Sequence, residues 1–572
     1  MPRAKVLVIG GGPAGAIAAL TLNKLGHDVE LFEREAFPRH RVGESLLPGT
    51  LSILTRLGLK EQIDNAGFLR KPSATFLWGQ DQPPYTFSFA THRPADWIFD
   101  HAIQVYREDF DTMLLNEAQS RGVRVNFKTS VRDVDLSSPD EVRVTVEGPT
   151  GQSTVRGDFL IDGSGSNSVL ARKLQTRQFD EFYRSFAVWS YFRCPEPFGG
   201  ELKGTTFSIT FEDGWAWMIP LKGDIYSVGL VVDQSKSAEM REKGITQFFK
   251  DTLVKCHGAM KILGDSPMID EVRVIRDWSY DTSIYSSGRF FFSGDAACFT
   301  DPLFSQGIQL AAQSAASASA AIDRLMMHPE ESDSIHQWYA MSYKESYEQY
   351  HQFVASFYTY ASFTEPESEF WRKRRLQESD DSRLERREWF HKLFSSMDDQ
   401  EKKWTVADFR DRSSTLIAIG RHKRKELSDE FSETELNMAR IQWISKLTAT
   451  LNSITELRWS GKEALLRPYY KVHPLNFTLM PKFILGDETG RVMTKYPIEP
   501  DHLDLFKEIL TGQVSYKSLV RNLAAVGITE TSSQIIVRLF EAGLLTGHDK
   551  RGTRVHVQDR LRFDGVGAEL EV

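Results

Sequence analysis

The sequence is poor in cysteine. Only Cys194, Cys256 and Cys298 occur in 572 residues, too few and too scattered for a disulfide framework or a zinc cluster. No metal site is expected, and a reducing cytoplasm is the expected compartment. An excess of positive charge is also lacking: 70 Lys and Arg stand against 78 Asp and Glu, a net charge of −8. That balance excludes nucleic acid as the main partner. No apolar run reaches membrane-spanning length. The nearest, "IQLAAQSAASASAAIDRL" (308–325), is interrupted by Gln and Ser and reads as a buried helix. A first strand expected from about Lys5 leaves no room for a signal peptide before it. What the chain does have is length, enough for two or three domains. It also has aromatic residues, 12 % of the total, which suits enclosure of a planar cofactor or substrate as well as a large core.

"AKVLVIGGGPAGAIAALTLNKLGHDVELFER" (4–34) reads as strand, glycine turn, helix and second strand. Gly10, Gly12 and Gly15 have G-x-G-x-x-G spacing: the first permits the turn, the second lets a pyrophosphate approach, the third lets helix and strand pack. Pro13 and Ala14 begin the helix, whose N-terminus presents free N–H groups to a phosphate. Glu33 ends the second strand, where a carboxylate binds ribose hydroxyls, and Arg34 follows it. Three later segments favour FAD over NAD. "RVGESLLP" (41–48) offers Arg41, Gly43, Glu44 and Ser45, and Arg107 opens a helix. "GRFFFSGDAACFTDPLFSQGIQLAAQSA" (288–315) is an apolar strand, Gly294-Asp295, a turn and a small-residue helix. Asp295 suits ribitol hydroxyls, and the helix start around Ser305–Gly307 and Ile308 suits the flavin's pyrimidine edge.

In this order the segments resemble flavoprotein monooxygenases of the hydroxybenzoate-hydroxylase fold. "FLIDGSGSNSVLAR" (159–172) fits as well, with Asp162 and Gly163 closing a strand against the nucleotide. The fold class expected is α/β: an FAD-binding Rossmann-like unit with a mixed-sheet substrate region, and a helical, winged-helix-like C-terminal extension. No second strand–glycine–helix unit with an acidic partner is seen, so reduced flavin is expected from a separate reductase.

"EDGWAWMIPL" (212–221) places Trp215, Trp217 and Ile219 on one strand face by period-two alternation. Read alone it is a core strand ending in Pro220. The W-x-W-x-I-P pattern resembles the signature of flavin-dependent halogenases, in which the tryptophans line the space between flavin and substrate. Lys71, in "KPSATFLWG", matches the lysine of that family. A lone lysine in a strand ordinarily snorkels to the surface; the resemblance implies that this one is buried, proton-poor and catalytic. Together with "RVGESLLPGT", "GDAACFTDPLFSQG" and the long C-terminal part, the pattern resembles the chloramphenicol-type halogenases over essentially the whole chain.

The resemblance implies an FADH2-dependent halogenase in antibiotic or natural-product biosynthesis. O2 and the reduced flavin give a flavin hydroperoxide, and chloride (or bromide) attacks it. Hypochlorous acid then passes Trp215 and Trp217 to Lys71, which places the halogen on an enolisable acyl group or electron-rich ring of a small or carrier-tethered substrate. Halide is expected at the turn carrying Pro302, Ser305, Gln306 and Gly307, a helix start with free N–H groups. Glu44 serves as general base or orients the lysine, or else bonds the flavin loop; both readings stand. The helical stripe Tyr347, Tyr350, Phe353, Phe357, Tyr360 is core or tunnel wall, with Tyr350 as the polar contact. Asp277 is a hydrogen-bonding group, a salt-bridge partner, or a carboxylate that forms an aspartyl ester with the flavin 8α-methyl. The alternative is a flavin-dependent aromatic hydroxylase or epoxidase, which shares the FAD motifs but needs neither Lys71 nor the tryptophan pair.

Three domains are expected: 1–330 with a substrate sheet at about 71–100 and 177–285, a mainly helical 331–499, and a winged-helix-like 500–572. In 501–572 nine Lys/Arg face ten Asp/Glu, which rejects DNA binding for that tail.

Overall fold

A computed structural model describes residues 3–79, 82–90, 99–195, 198–276 and 279–375. Beyond these it describes 453–459, 465–486, 545–555 and a few shorter pieces. The chain divides into two compact units, the first running essentially from Met1 to Glu378.

In the first unit a six-stranded sheet has the order Ser286–Ser287, Phe290–Phe292, Phe159–Asp162, Lys5–Ile9, Asp28–Phe32, Arg124–Asn126. All but the first strand run parallel. The central strands are unbroken apolar runs because helices cover both faces of a parallel sheet. Gly10 turns the chain at a positive φ of 96°. A Cβ on Gly15 would stand 1.9 Å from the Gly10 carbonyl oxygen, so only glycine lets the Pro13–Lys24 helix pack this close. That helix lies against the Ala/Ser-rich helix Gly307–Met327, where Ser319 Oγ donates to the Ala18 carbonyl at 3.3 Å.

The second sheet has seven strands, in the order Arg273–Arg276, Ser185–Arg193, Ile225–Asp233, Gly214–Leu221, Thr206–Phe211, Ser73–Leu77, Tyr85–Ser88. Alternation divides its side chains between two cores. Trp189, Tyr191, Trp215, Trp217 and Ile219 join one, together with Tyr350, Phe353 and Tyr358. Val188, Ala216, Met218, Val228 and Leu230 join the other.

The domain boundary expected at 330 is not there. The helix Ser332–Thr364 belongs to the first unit. Its tyrosines tie it to the first sheet: Tyr339 donates to the Phe292 carbonyl, and Tyr343 to that of Gly294 at 2.8 Å. Within 331–499 the described residues hold the long helix Ser332–Thr364 and also three strands, Glu456–Trp459, Leu465–Val472 and Leu479–Gly486, while much of the span lies outside the described residues. In the second unit, Leu545–His548 pairs antiparallel with both Glu456–Trp459 and Arg554–Val555. The second of these pairings closes a hairpin within "GHDKRGTRV". The rest of the winged-helix-like 500–572 lies mostly outside the described residues.

Candidate active site

The glycine turn is braced by Glu33. Its carboxylate accepts from Gly11 N at 2.7 Å and from Glu35 N at 2.8 Å, and the residue is buried. Both oxygens thus hold backbone before any ribose arrives. The cation at this turn is one the sequence reading passed over. Arg39 lies with Nη2 3.5 Å from where a Gly12 Cβ would be, and 3.9 Å from Glu33. Its Nε and Nη1 are buried without a hydrogen bond, although Nη1 is 3.4 Å from Asp111. Arg34 and Arg41 turn away instead: both are substantially exposed and pair with Glu35.

Next to this turn, across Gly43 and Arg107, opens a cavity of about 180 Å³. Arg107 lines it, gripping Asp111 through Nε and Nη2 at 2.9 Å each and donating to the Val42 carbonyl at 2.6 Å. Burial opposes the Arg107 charge, but Asp111, Glu44 and Asp295 outweigh it and raise its pKa. Asp295 also lines the cavity, pushed up to about 6 by burial against the pull of Arg107 and Arg177. Among the described residues no donor meets its carboxylate. It follows Gly294, where a Cβ would crowd Ala14 and Ala311 at 3.0 and 3.1 Å. Pro302, Ser305, Gln306, Gly307 and Ile308 complete that side, with Ser305 at a positive φ of 58°. Gln306 Oε1 is buried without a partner. A dinucleotide carrying an isoalloxazine fits this set: an approachable Gly12, guanidinium N–H groups without acceptors, a carboxylate lacking donors, and a helix N-terminus.

Trp215, Trp217 and Ile219 form the opposite wall. Trp215 Nε1 donates to Tyr358 OH at 2.7 Å, and Tyr358 OH donates to Asp301 Oδ2 at 2.8 Å. Asp301 in turn accepts from Leu303 N at 2.9 Å, inside the turn expected to hold halide. Trp217 Nε1 donates to Ser227 Oγ at 3.3 Å. The strand beside it must carry glycine, for a Cβ at Gly229 would stand 2.1 Å from the Trp217 ring.

Lys71 is buried, at 1 % exposure. Burial pulls its pKa from 10.5 down to about 7. Its Nζ donates to Ser45 Oγ at 2.7 Å and to the Leu46 carbonyl at 3.4 Å, and lies 5.6 Å from the Phe89 ring centre. Ser45 lines the cavity; Lys71 stands behind it. Glu44, also buried and lining the cavity, is pushed up to about 6 by its burial, against the hydrogen bond from Tyr191. Tyr191 OH reaches it at 2.9 Å and Ser227 Oγ at 3.4 Å. The structure therefore does not pair Glu44 with Lys71.

Other expected site residues sit apart from the cavity. Asp162 is spent on its own loop, accepting from Ser164 N at 3.0 Å and Ser168 Oγ at 2.6 Å. Tyr350 is in the aromatic core, accepting from Gln309 Nε2 at 3.0 Å. Its neighbours Phe353 and Phe357 pack on Phe304 with ring centres 4.6 and 4.9 Å away. Asp277 lies outside the described residues.

A family model for tryptophan halogenases matches residues 5–102 and 96–425, and one for the C-terminal domain of the chloramphenicol halogenase CmlS matches 443–560. A tryptophan 2-halogenase of Chondromyces crocatus is 31 % identical over 383 residues, 65 % of this chain and 70 % of that protein. The solved structure of CmlS, a flavin-dependent halogenase, is similar at 60 % identity and a TM-score of 0.74, covering 99 % of this chain and 100 % of that one. The myxobacterial chondrochloren halogenase CndH, described as an FAD-dependent halogenase, follows at 31 % identity and a TM-score of 0.62, covering 66 % and 88 %. The cavity, the tryptophan wall and Lys71 all fall within the stretch matched by the first model, and the chain belongs to the tryptophan halogenase family of flavin-dependent halogenases.

Proposed function

We propose that this halogenase uses FADH2 from a separate reductase, O2 and chloride to chlorinate an activated carbon, with Lys71 handling the electrophilic halogen. The observation that carries the reading is the burial of Lys71 behind the cavity wall, with a pKa of about 7. At neutral pH a large share of such an amine is unprotonated and able to take up halogen. Reduced FAD with O2 and halide supplies that halogen as hypochlorous acid.

The chain's own residues bind and orient. Gly10, Gly12, Gly15, Arg39 and the Pro13–Lys24 helix start hold the pyrophosphate, and Asp295 takes ribitol hydroxyls. Ser305, Gln306 and Gly307 line the cavity where a halide would rest at a helix N-terminus. Trp215 and Trp217 line the same cavity; in this reading they keep substrate carbon away from the oxidant and let only a small species pass. Glu44, held by Tyr191 and Ser227, is placed to accept a proton in the cavity.

The substrate in this reading is an enolisable acyl or electron-rich group, on a small molecule or tethered to a carrier; the likeness to a chloramphenicol halogenase supports a place in antibiotic biosynthesis. For Asp277 the three roles, hydrogen-bonding group, salt-bridge partner or aspartyl ester to the flavin, stay open; yellow colour fully released on acid precipitation would refute the ester.

The decisive comparison is Lys71→Ala against wild type, supplied with FAD, a reductase, NADH, O2, chloride and an enolisable acyl thioester. Loss of chlorinated product with FAD retained is expected. Chlorination at near wild-type rate overturns the assignment.

A further inference from the structure

Lys71 does not reach the cavity by itself. Its amine has two polar neighbours among the described residues: Ser45 Oγ at 2.7 Å, and a carbonyl at 3.4 Å that cannot carry a proton. Phe89 covers it at 5.6 Å. Yet an amine that cycles between charged and neutral forms must exchange protons with the cavity at each change.

The hydroxyls beside it are arranged for that exchange. Ser45 Oγ lies 3.3 Å from Thr206 Oγ1, and both residues line the cavity. Gln104 Nε2 donates to Thr206 Oγ1 at 2.7 Å, and to the Gly204 carbonyl at 3.4 Å. A carbonyl only accepts, so Gly204 fixes which end of the Gln104 amide faces Thr206. Thr206 therefore receives a hydrogen bond from Gln104, and Ser45 receives one from Lys71. Each hydroxyl keeps one proton of its own, and their mutual contact uses one of the two. Whichever way that contact is oriented, one hydroxyl proton is left without a partner among the described residues, on a residue that lines the cavity.

We propose that Ser45, oriented by Thr206 and Gln104, is the proton relay between Lys71 and the cavity. This rests on the reading of Lys71 as the halogen-handling amine. The Lys71 ammonium passes a proton to Ser45 Oγ. Ser45 releases its own proton to cavity water, directly or through Thr206, whose proton then leaves in turn. The amine becomes neutral, the hydroxyls are unchanged, and no electrons move. Reversing the sequence recharges the amine.

The test separates this role from simple packing because two consequences oppose each other. Ser45 Oγ accepts from the ammonium and so favours its charged form. Ser45→Ala should leave Lys71 more often neutral. A purely electrostatic or packing role then predicts an unchanged or faster enzyme at neutral pH. A relay predicts a slower one. The holoenzyme is labelled with [ε-13C]lysine, the Lys71 signal being identified by its absence in Lys71→Ala. In Ser45→Ala the signal should titrate at lower pH than in wild type, and exchange between its charged and neutral forms should slow. Chlorination should fall more than tenfold in kcat, with substrate KM and FAD affinity unchanged. Ser45→Thr, which keeps the hydroxyl, should recover kcat to within about threefold. Wild-type kcat in Ser45→Ala overturns the relay. So does a loss that tracks weakened FAD binding, or one that Ser45→Thr does not repair. Lys71→Ala is assayed in parallel. If it still chlorinates, the reading of Lys71 fails; if it is dead while Ser45→Ala is unimpaired, only the relay fails.

Discussion

Replacing Lys71 by methionine should stabilise the protein while silencing it. Methionine is unbranched and of similar length, so it fills the space beneath Phe89 without a cavity. The magnitude follows from linkage. The amine loses its proton at about 7 in the fold and at 10.5 when free. Between those values the unfolded chain binds a proton that the folded chain does not, so wild-type stability rises with pH through this window. Working the two equilibria through, burial of Lys71 costs about 4 kcal/mol at pH 7 and about 2 kcal/mol at pH 9. The advantage of Lys71→Met over wild type should therefore shrink by about 2 kcal/mol between pH 7 and pH 9. Urea unfolding of both proteins at the two pH values measures it, with m-values compared to confirm that the same transition is followed. Chlorination by the same preparation should be undetectable. An advantage that is equal at pH 7 and pH 9 would refute the reasoning, for it would mean that the buried amine titrates where a free one does.

Three further outcomes follow from the contacts. Arg39→Ala should weaken FAD binding about 10- to 100-fold, the worth of a charge-assisted phosphate contact, and leave riboflavin binding unchanged in a fluorescence titration. Gly229→Ala should cost about 1–3 kcal/mol in urea melts, because the new methyl meets the Trp217 ring at 2.1 Å. Tyr358→Phe removes a donor from Asp301, a carboxyl already pushed up to about 6 mainly by burial. That carboxyl is ionised at pH 8 and protonated at pH 5, so the variant should lose about 1–3 kcal/mol at pH 8 and markedly less at pH 5.

Which parts of this site could be read in the sequence depends on how local their causes are. The glycine turn, the Gly294-Asp295 corner and the shared face of Trp215 and Trp217 each follow from a short periodic pattern, and the structure has them in place. Arg39 was not legible for a definite reason. Arg34, Arg39 and Arg41 all follow the second strand, and their order says nothing about which one turns inward. Glu35 decides it by pairing with Arg34 and Arg41, leaving Arg39 over the glycine turn. The misplaced boundary at 330 has a similar origin. The Ser332–Thr364 helix looks like part of a polar extension, but its tyrosine hydroxyls find carbonyls of a strand and the turn after it, some 50 residues earlier (Tyr339 to Phe292 is a separation of 47, Tyr343 to Gly294 one of 49). Asp162 ends its strand beside the glycine turn as expected, but the sequence could not say that its carboxylate would accept from Ser164 and Ser168.

Lys71 and Glu44 show why separation matters as much as burial. A buried ammonium beside a buried carboxylate would form an ion pair, and each partner would hold the other charged. Here Ser45 takes the amine, while Tyr191 and Ser227 take the carboxylate. Neither charge has a full counter-charge at hydrogen-bond distance, so desolvation dominates both. The acid is pushed up to about 6 and the amine pulled down to about 7. Both groups thus change charge near neutrality, as the roles proposed for them would require and a salt bridge would prevent. The backbone enforces the arrangement, since Glu44 and Ser45 are consecutive residues of an extended segment held against the Ala102–Gln104 strand, which pairs on its other side with Leu69–Lys71. One strand therefore fixes the amine, its hydroxyl partner and the carboxylate together, without letting the two charges meet.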